Sequence, residues 1–295
     1  MDFILRMKQR KEQIDEILNN LVIETPVHAK VLEAAMRHSL LAKGKRLRPI
    51  LLLETLQLFG KHESMGMNFA LALEMIHTFT LVHDDLPCMD DDDLRRGIPT
   101  CHKVFGENIA LLAGDALVFS AYELMSKRRD DIDPAVGLAC IEDISKALGA
   151  QGVIAGQVVD LLSEGKTASE EVLHFIHKHK TADLMVAALQ VGARLGGADD
   201  DELQSLRHYG EHIGLAFQMT DDLLDIEGQK DVLGKPIGSD VKSKKMTYPV
   251  LLGLAETKSR AKTECLQAQE ALKSINYLPI SFLDDFSQYI LARTY

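Results

Sequence analysis

Four consecutive aspartates, Asp90 to Asp93, lead through Leu94 into Arg95 and Arg96, and an acidic pair, Asp84 and Asp85, precedes them. A second cluster, Asp221-Asp222-Leu223-Leu224-Asp225, stands more than a hundred residues further on. Like charges at this density repel unless a cation sits between them. Hard divalent cations prefer oxygen ligands, and Mg²⁺ in particular is held by one or two carboxylates together with substrate phosphates. The two clusters therefore point to a magnesium–phosphate site supplied by both halves of the chain.

On a helix, Gln218, Asp221, Asp222 and Asp225 fall at i, i+3, i+4 and i+7, one stripe that carries no Lys or Arg. A solvated acidic face is the alternative for this stripe taken alone. His77 and Asp84 lie two turns apart on one helical face, and Pro87 ends or bends that helix. Asp84 and Asp85 then sit near a helix C-terminus, where the dipole disfavours anions. A metal ion is the natural compensation, with Asp84 and Asp90 converging on it; an acidic surface loop is the plainer reading. Cations cluster in Lys43-Gly44-Lys45-Arg46-Leu47-Arg48-Pro49, in Arg95-Arg96-Gly97, and at Lys235, Lys242, Lys244 and Lys245. Arg offers phosphate a bidentate fork and Lys a mobile point charge. Lys180-Thr181 falls mid-helix, where a Lys is as readily a snorkelling surface residue as a ligand.

The elements that must position these residues read as helices almost throughout. Apolar residues recur at helical spacing from Ser169 to Leu195 and from Glu202 to Ile226, and the eight prolines fall where the periodicity breaks. The pattern predicts a mostly-α bundle of ten or more helices, no convincing sheet, and a single domain over residues 1–295. The stretch from Gly228 to Pro249 is rich in Gly, Lys and Ser and reads as a functional lid directly after the second acid cluster. A net charge of −11 argues against a nucleic-acid partner. The four cysteines form no CxxC or disulfide framework, which suits a reducing, cytoplasmic setting. The N-terminus lacks a signal-peptide core and no run approaches 18 apolar residues, so no membrane span is expected. Serine-hydrolase elbow, P-loop and HExxH motifs are missing.

Taken together, these blocks resemble the trans-prenyltransferases, or polyprenyl diphosphate synthases. His83-Asp84-Asp85-Leu86-Pro87-Cys88-Met89-Asp90-Asp91-Asp92-Asp93-Leu94-Arg95-Arg96-Gly97 is similar to the first aspartate-rich motif of that family. Gln218-Met219-Thr220-Asp221-Asp222-Leu223-Leu224-Asp225 is similar to the second. Gly44-Lys45-Arg46-Leu47-Arg48-Pro49, Lys180-Thr181 and Lys245-Met246-Thr247-Tyr248-Pro249 resemble further family blocks in the right order, over roughly residues 40 to 255. The four-residue gap between Asp85 and Asp90 resembles the bacterial farnesyl diphosphate synthase subgroup.

The resemblance implies an all-α barrel of isoprenoid-synthase type around a deep central cavity, usually a homodimer. It implies head-to-tail condensation of isopentenyl diphosphate with an allylic diphosphate. Asp84, Asp85, Asp90, Asp221, Asp222 and Asp225 would serve three Mg²⁺ ions, directly or through water. Arg95, Lys180, Lys235 and Lys245 would clamp the allylic diphosphate, and Lys45, Arg48, His77 and Arg96 the isopentenyl one. Thr181 and Gln218 would steady the allylic cation. Phe79, five residues before the first aspartate, would form the cavity floor and stop growth at farnesyl diphosphate; simple core packing is the alternative for this ring. Other short-chain products such as geranylgeranyl diphosphate remain open, as do a class I terpene cyclase and a non-catalytic synthase subunit. A cyclase, however, needs no second diphosphate site, and non-catalytic subunits tend to lose one acid motif. Two departures from the family pattern are Lys43, where many members have Gly, and the ending Arg293-Thr294-Tyr295, which lacks a more basic tail.

Overall fold

The structure is a computed structural model that describes residues 2–166, 169–227 and 246–293. It divides into two compact units, one from residues 1–50 and 64–137 and the other from 51–63 and 138–295. Both are helical.

The first unit contains α1 (Phe3–Asn20), α2 (Lys30–Leu40), the start of α3 (Leu47–Leu58), α4 (Met67–Asp84), α5 (Cys101–Phe105) and α6 (Glu107–Ser126). Asp2 caps α1 by accepting from the Ile4 amide. α4 is apolar nearly all round and buried along most of its length, as such a helix must be. It packs chiefly on α6, which also meets α2 and α5. Helix α4 ends at Asp84 with Asp85 as its C-cap, close to the stop expected from Pro87. Beyond it, the Asp90 amide donates to the Asp84 carbonyl at 2.8 Å, so the chain folds back on the helix end. A minimal antiparallel hairpin follows, Leu94–Arg95 (β1) paired with Ile98–Pro99 (β2). The sequence reading missed it because two-residue strands are too short to show alternation. Its turn is Arg96-Gly97, both at positive φ. Glycine takes that conformation freely, whereas Arg96 must be held in it.

Among the described helices α6 is long and apolar enough to cross a membrane, by length and composition only. The sequence shows its Ile109–Phe119 stretch as the most apolar window, interrupted by Asp115, and no span is expected there. Here seven of its residues are buried in the core of the unit.

The second unit contains the rest of α3, most of α7 (Pro134–Leu148), then α8 (Val153–Ser163), α9 (Glu170–His177), α10 (Asp183–Gly196) and α11 (Asp200–Glu227). It continues with α12 (Tyr248–Leu252), α13 (Leu254–Ala271) and α14 (Ser281–Ala292). α11 packs on α10 and α13 and is the spine of the unit. A reciprocal capping box starts it: Asp199 Oδ1 accepts from the Glu202 amide, and Glu202 Oε2 from the Asp199 amide. The pattern read from Ser169 to Leu195 is indeed helical, but a π-helical turn, Lys178–Ala182, interrupts it. Tyr248 and Pro249, read as the end of a lid, instead begin α12.

Candidate active site

In the first unit, the Gly-Lys-Arg block is held by its central arginine. Arg46 is 3% exposed, at positive φ, and saturated with partners. Its Nε donates to Asp15 at 2.7 Å and Nη1 to Glu74 at 2.5 Å, while Nη2 donates to the Leu40 and Ala42 carbonyls. Arg46 therefore anchors the turn. Its neighbour Lys45 is exposed and Arg48 half-buried.

Around His77 the unit gathers positive charge. Burial, and then Arg48, Arg96, Arg46 and Arg95, hold the imidazole well below its usual range, so it is neutral at pH 7. Arg96 itself is lowered, chiefly by burial, with Arg46 and Arg95 adding to the fall and Glu74 and Asp15 opposing it. Its Nη2 is 4.0 Å from Glu74, and its buried Nη1 has no hydrogen-bond partner among the described residues. A buried guanidinium with an unmet donor among other cations has the chemistry to accept an anion. A cavity of about 560 Å³ is lined by Arg37, His38, Lys43, Arg96 and Gly97 among others. The sequence reading passed over Arg37 and His38. Their backbone partners, the Asn19 and Leu21 carbonyls for Arg37 and the Pro99 carbonyl for His38, are distant in sequence.

The first acid cluster is divided. Asp85 is buried and its Oδ1 accepts from Arg95 Nε at 2.8 Å; Arg95 Nη2 bonds Asp85 as well, and reaches Asp92 at 2.9 Å. Burial pushes the Asp85 carboxyl up to about 6 despite Arg95, with Asp92 and Asp84 adding to the rise. Asp84 and Asp90 are half-buried at the helix end, joined through the backbone hydrogen bond described above. Phe79 is half-buried, one turn before His83 on α4.

In the second unit the π-turn presents Lys180 and Thr181. A π-turn inserts one extra residue into the helix and swings the side chains around it. Lys180 Nζ is fixed by Asp160 of α8 at 2.6 Å. Asp160 was not singled out from sequence, and twenty residues of separation leave no local signal for the pair. Thr181 Oγ1 donates to Gln218 Oε1 at 2.9 Å, and Gln218 Nε2 donates to Asp222 Oδ1 at 3.0 Å. The amide orientation follows from chemistry, since an ionised carboxylate only accepts. Asp222 Oδ2 accepts the Tyr248 amide at 3.1 Å, so α12 is tied to the second acid cluster. Asp222 and Asp225 are buried, whereas Asp221 is partly open and pairs with Arg293, whose guanidinium lies 4.7 Å over the Phe217 ring. The structure thus joins Thr181, Gln218 and Asp222 into one chain of hydrogen bonds. Lys235 and Lys245 lie outside the described residues.

Among the described residues no three His, Cys, Asp or Glu side chains form a protein-only metal cage. Mg²⁺ bound through one or two carboxylates and substrate phosphates needs none, and the donors are all hard oxygens. The residues present therefore fit that ion.

The polyprenyl synthetase family matches residues 29–278 of the chain. Farnesyl diphosphate synthase of Geobacillus stearothermophilus is 45% identical over 269 residues, covering 91% of this chain and 90% of that protein. Geranylgeranyl pyrophosphate synthase 7 of Arabidopsis thaliana is 44% identical over 296 residues, covering 99% of this chain and 84% of that one. Among solved structures, an FPP/GFPP synthase from Zymomonas mobilis superposes with a TM-score of 0.86 at 33% identity, covering 98% of each chain. A geranyltransferase from Helicobacter pylori, solved with magnesium and isoprenyl diphosphate, gives 0.86 at 30% identity, covering 99% of this chain and 97% of that one. The helical fold, both acid motifs and these likenesses agree: the chain belongs to the polyprenyl synthetase family and is a prenyltransferase.

Proposed function

We propose that this prenyltransferase condenses isopentenyl diphosphate with dimethylallyl and then geranyl diphosphate to give farnesyl diphosphate, within one catalytic domain over residues 1–295. The observation that carries the two-substrate reading is the cationic group around neutral His77, with the unmet Nη1 donor of Arg96. An enzyme that only ionised one diphosphate would have no use for it. Lys45, Arg48, His77 and Arg96 bind the isopentenyl diphosphate. Arg95 and Lys180, with Lys235 and Lys245, bind the allylic one.

Asp84, Asp90, Asp221 and Asp225 would hold Mg²⁺, three ions in all. Asp85, Asp221 and Asp222 all accept internal hydrogen bonds, and each would serve an ion directly or through water. Bound Mg²⁺ supplies Lewis-acid neutralisation of the departing diphosphate. The Lys and Arg heads add fixed positive charge where negative charge develops. Thr181 commits its hydroxyl proton to Gln218, leaving its oxygen lone pairs for an allylic cation. The final proton goes to the released diphosphate, since no side-chain base is evident among the described residues.

Phe79 is read as the floor that ends growth at fifteen carbons. The likeness to geranylgeranyl synthases supports a second reading, a twenty-carbon product. A homodimer is supported by exposed apolar stripes, Leu112 and Phe119 on α6 and Ile154, Val158 and Leu162 on α8. Four unpaired thiols support a reducing, cytoplasmic setting.

The test is chromatography of products formed from isopentenyl diphosphate with each allylic primer and Mg²⁺. Farnesyl diphosphate is expected. Diphosphate release without elongation would overturn the reading in favour of a cyclase, and activity only with an added subunit would favour a non-catalytic partner. Alanine at Asp84 or Asp221 is expected to cut kcat/KM by on the order of a thousand-fold or more with an unchanged circular dichroism spectrum.

A further inference from the structure

His83 lies one turn beyond Phe79 on α4, and none of the roles above uses it. Its ring meets the Phe79 ring edge-on, with centroids 4.8 Å apart and planes at 76°. Its Nε2 lies 2.9 Å from the Leu111 carbonyl of α6. A carbonyl only accepts, so Nε2 carries the proton and donates. The imidazole rests on the α6 backbone at Gly114, where an added Cβ would sit 2.2 Å from Nε2 and 2.4 Å from Cδ2. No residue larger than glycine fits beneath it. The imidazole is thus held by a hydrogen bond and a notch, with Asp115 Oδ1 3.9 Å from Nε2, and its ring meets Phe79 edge-on.

We propose that His83, wedged between Phe79 and the Gly114 notch of α6, is a positioning residue that sets product length by keeping the Phe79 ring across the path of the growing chain. The inference rests on the reading of Phe79 as the floor. A phenyl ring at a helix surface swings about χ1 and χ2 unless something packs against it. A growing prenyl chain would push it aside at a cost of one rotamer change. The His83 ring packs edge-on against Phe79, and a turn of the phenyl ring would break that contact. Because His83 is anchored to α6 and not merely packed on it, the brace holds under that load.

The test is the ratio of twenty-carbon to fifteen-carbon product with geranyl diphosphate as primer, at matched conversion, for Phe79→Ala, His83→Ala, Gly114→Ala and the Phe79→Ala/His83→Ala double variant. His83→Ala is expected to raise the ratio on the order of ten-fold, the scale on which one lost packing contact alters discrimination in an apolar pocket. Gly114→Ala, by lifting the imidazole out of its notch, shifts the ratio the same way. The double variant matches Phe79→Ala alone, because His83 acts only through that ring. A purely structural role would lower the melting temperature without moving the ratio. If Gly114→Ala does not fold, the His83 variants decide the matter. A wild-type ratio in His83→Ala while Phe79→Ala lengthens the product overturns the inference. So does an additive double variant. An unchanged ratio in Phe79→Ala overturns the floor reading and this inference with it.

Discussion

Arg46 shows how three adjacent basic residues can differ in purpose. Lys45, Arg46 and Arg48 look alike in sequence, yet the guanidinium of Arg46 is buried among Asp15, Glu74 and two carbonyls. Glu74 is 1% exposed, so its charge depends on that partner. Replacing Arg46 with Met is expected to cost about 3–5 kcal/mol in chemical denaturation, because a buried carboxylate is left uncompensated. Arg46→Lys recovers only part, since an ammonium cannot reproduce the fork. Arg46→Met with Glu74→Leu recovers most of the loss, as burying neither charge removes the penalty. The sequence showed which residue types could bind phosphate. It could not show which of them was already engaged, because the decisive partner, Glu74, is 28 positions away on α4.

At the scale of elements, the long helices were legible and their irregularities were not. Apolar periodicity marked residues 169–195 and 202–226, and Pro87 marked the end of α4. The π-turn at Lys178–Ala182 left no trace, because one inserted residue barely changes the apolar pattern. It matters nonetheless, since Thr181 meets Gln218 from within it. The turn is seated against α8 at Gly156, where a Cβ would lie 2.5 Å from the Lys180 amide nitrogen. Gly156→Ala is therefore expected to displace Lys180 and Thr181. Turnover should fall on the order of a hundred-fold, the penalty of an ångström-scale misplacement. The melting temperature should drop by only a few degrees, as a roughly 1 kcal/mol change does in a chain of this size. Steady-state kinetics beside a thermal melt separates the two effects.

For the whole molecule, a net charge of −11 sits beside a substrate class that is itself anionic. Locally the balance differs: arginines gather around His77, and the acid clusters offer hard carboxylate oxygens of the kind a divalent cation prefers. The acid motifs were legible because chemistry restricts which residues can perform it. The internal partners within them were not, because the hydrogen bonds that engage Asp85, Asp221 and Asp222 form only on folding. Assembly belongs to this scale too. Phe119 is 75% exposed on α6, and Phe119→Asp is expected to convert a dimer to a monomer in sedimentation velocity. α6 also bears Gly114, which seats His83 on its inner side. A helix with duties on both faces has few positions free to drift. Under these two proposals its outward residues would answer to a second copy of the chain and its inward ones to the length of a hydrocarbon, so substitutions on either face of Glu107–Ser126 would be read out by different assays, sedimentation on one side and product chromatography on the other.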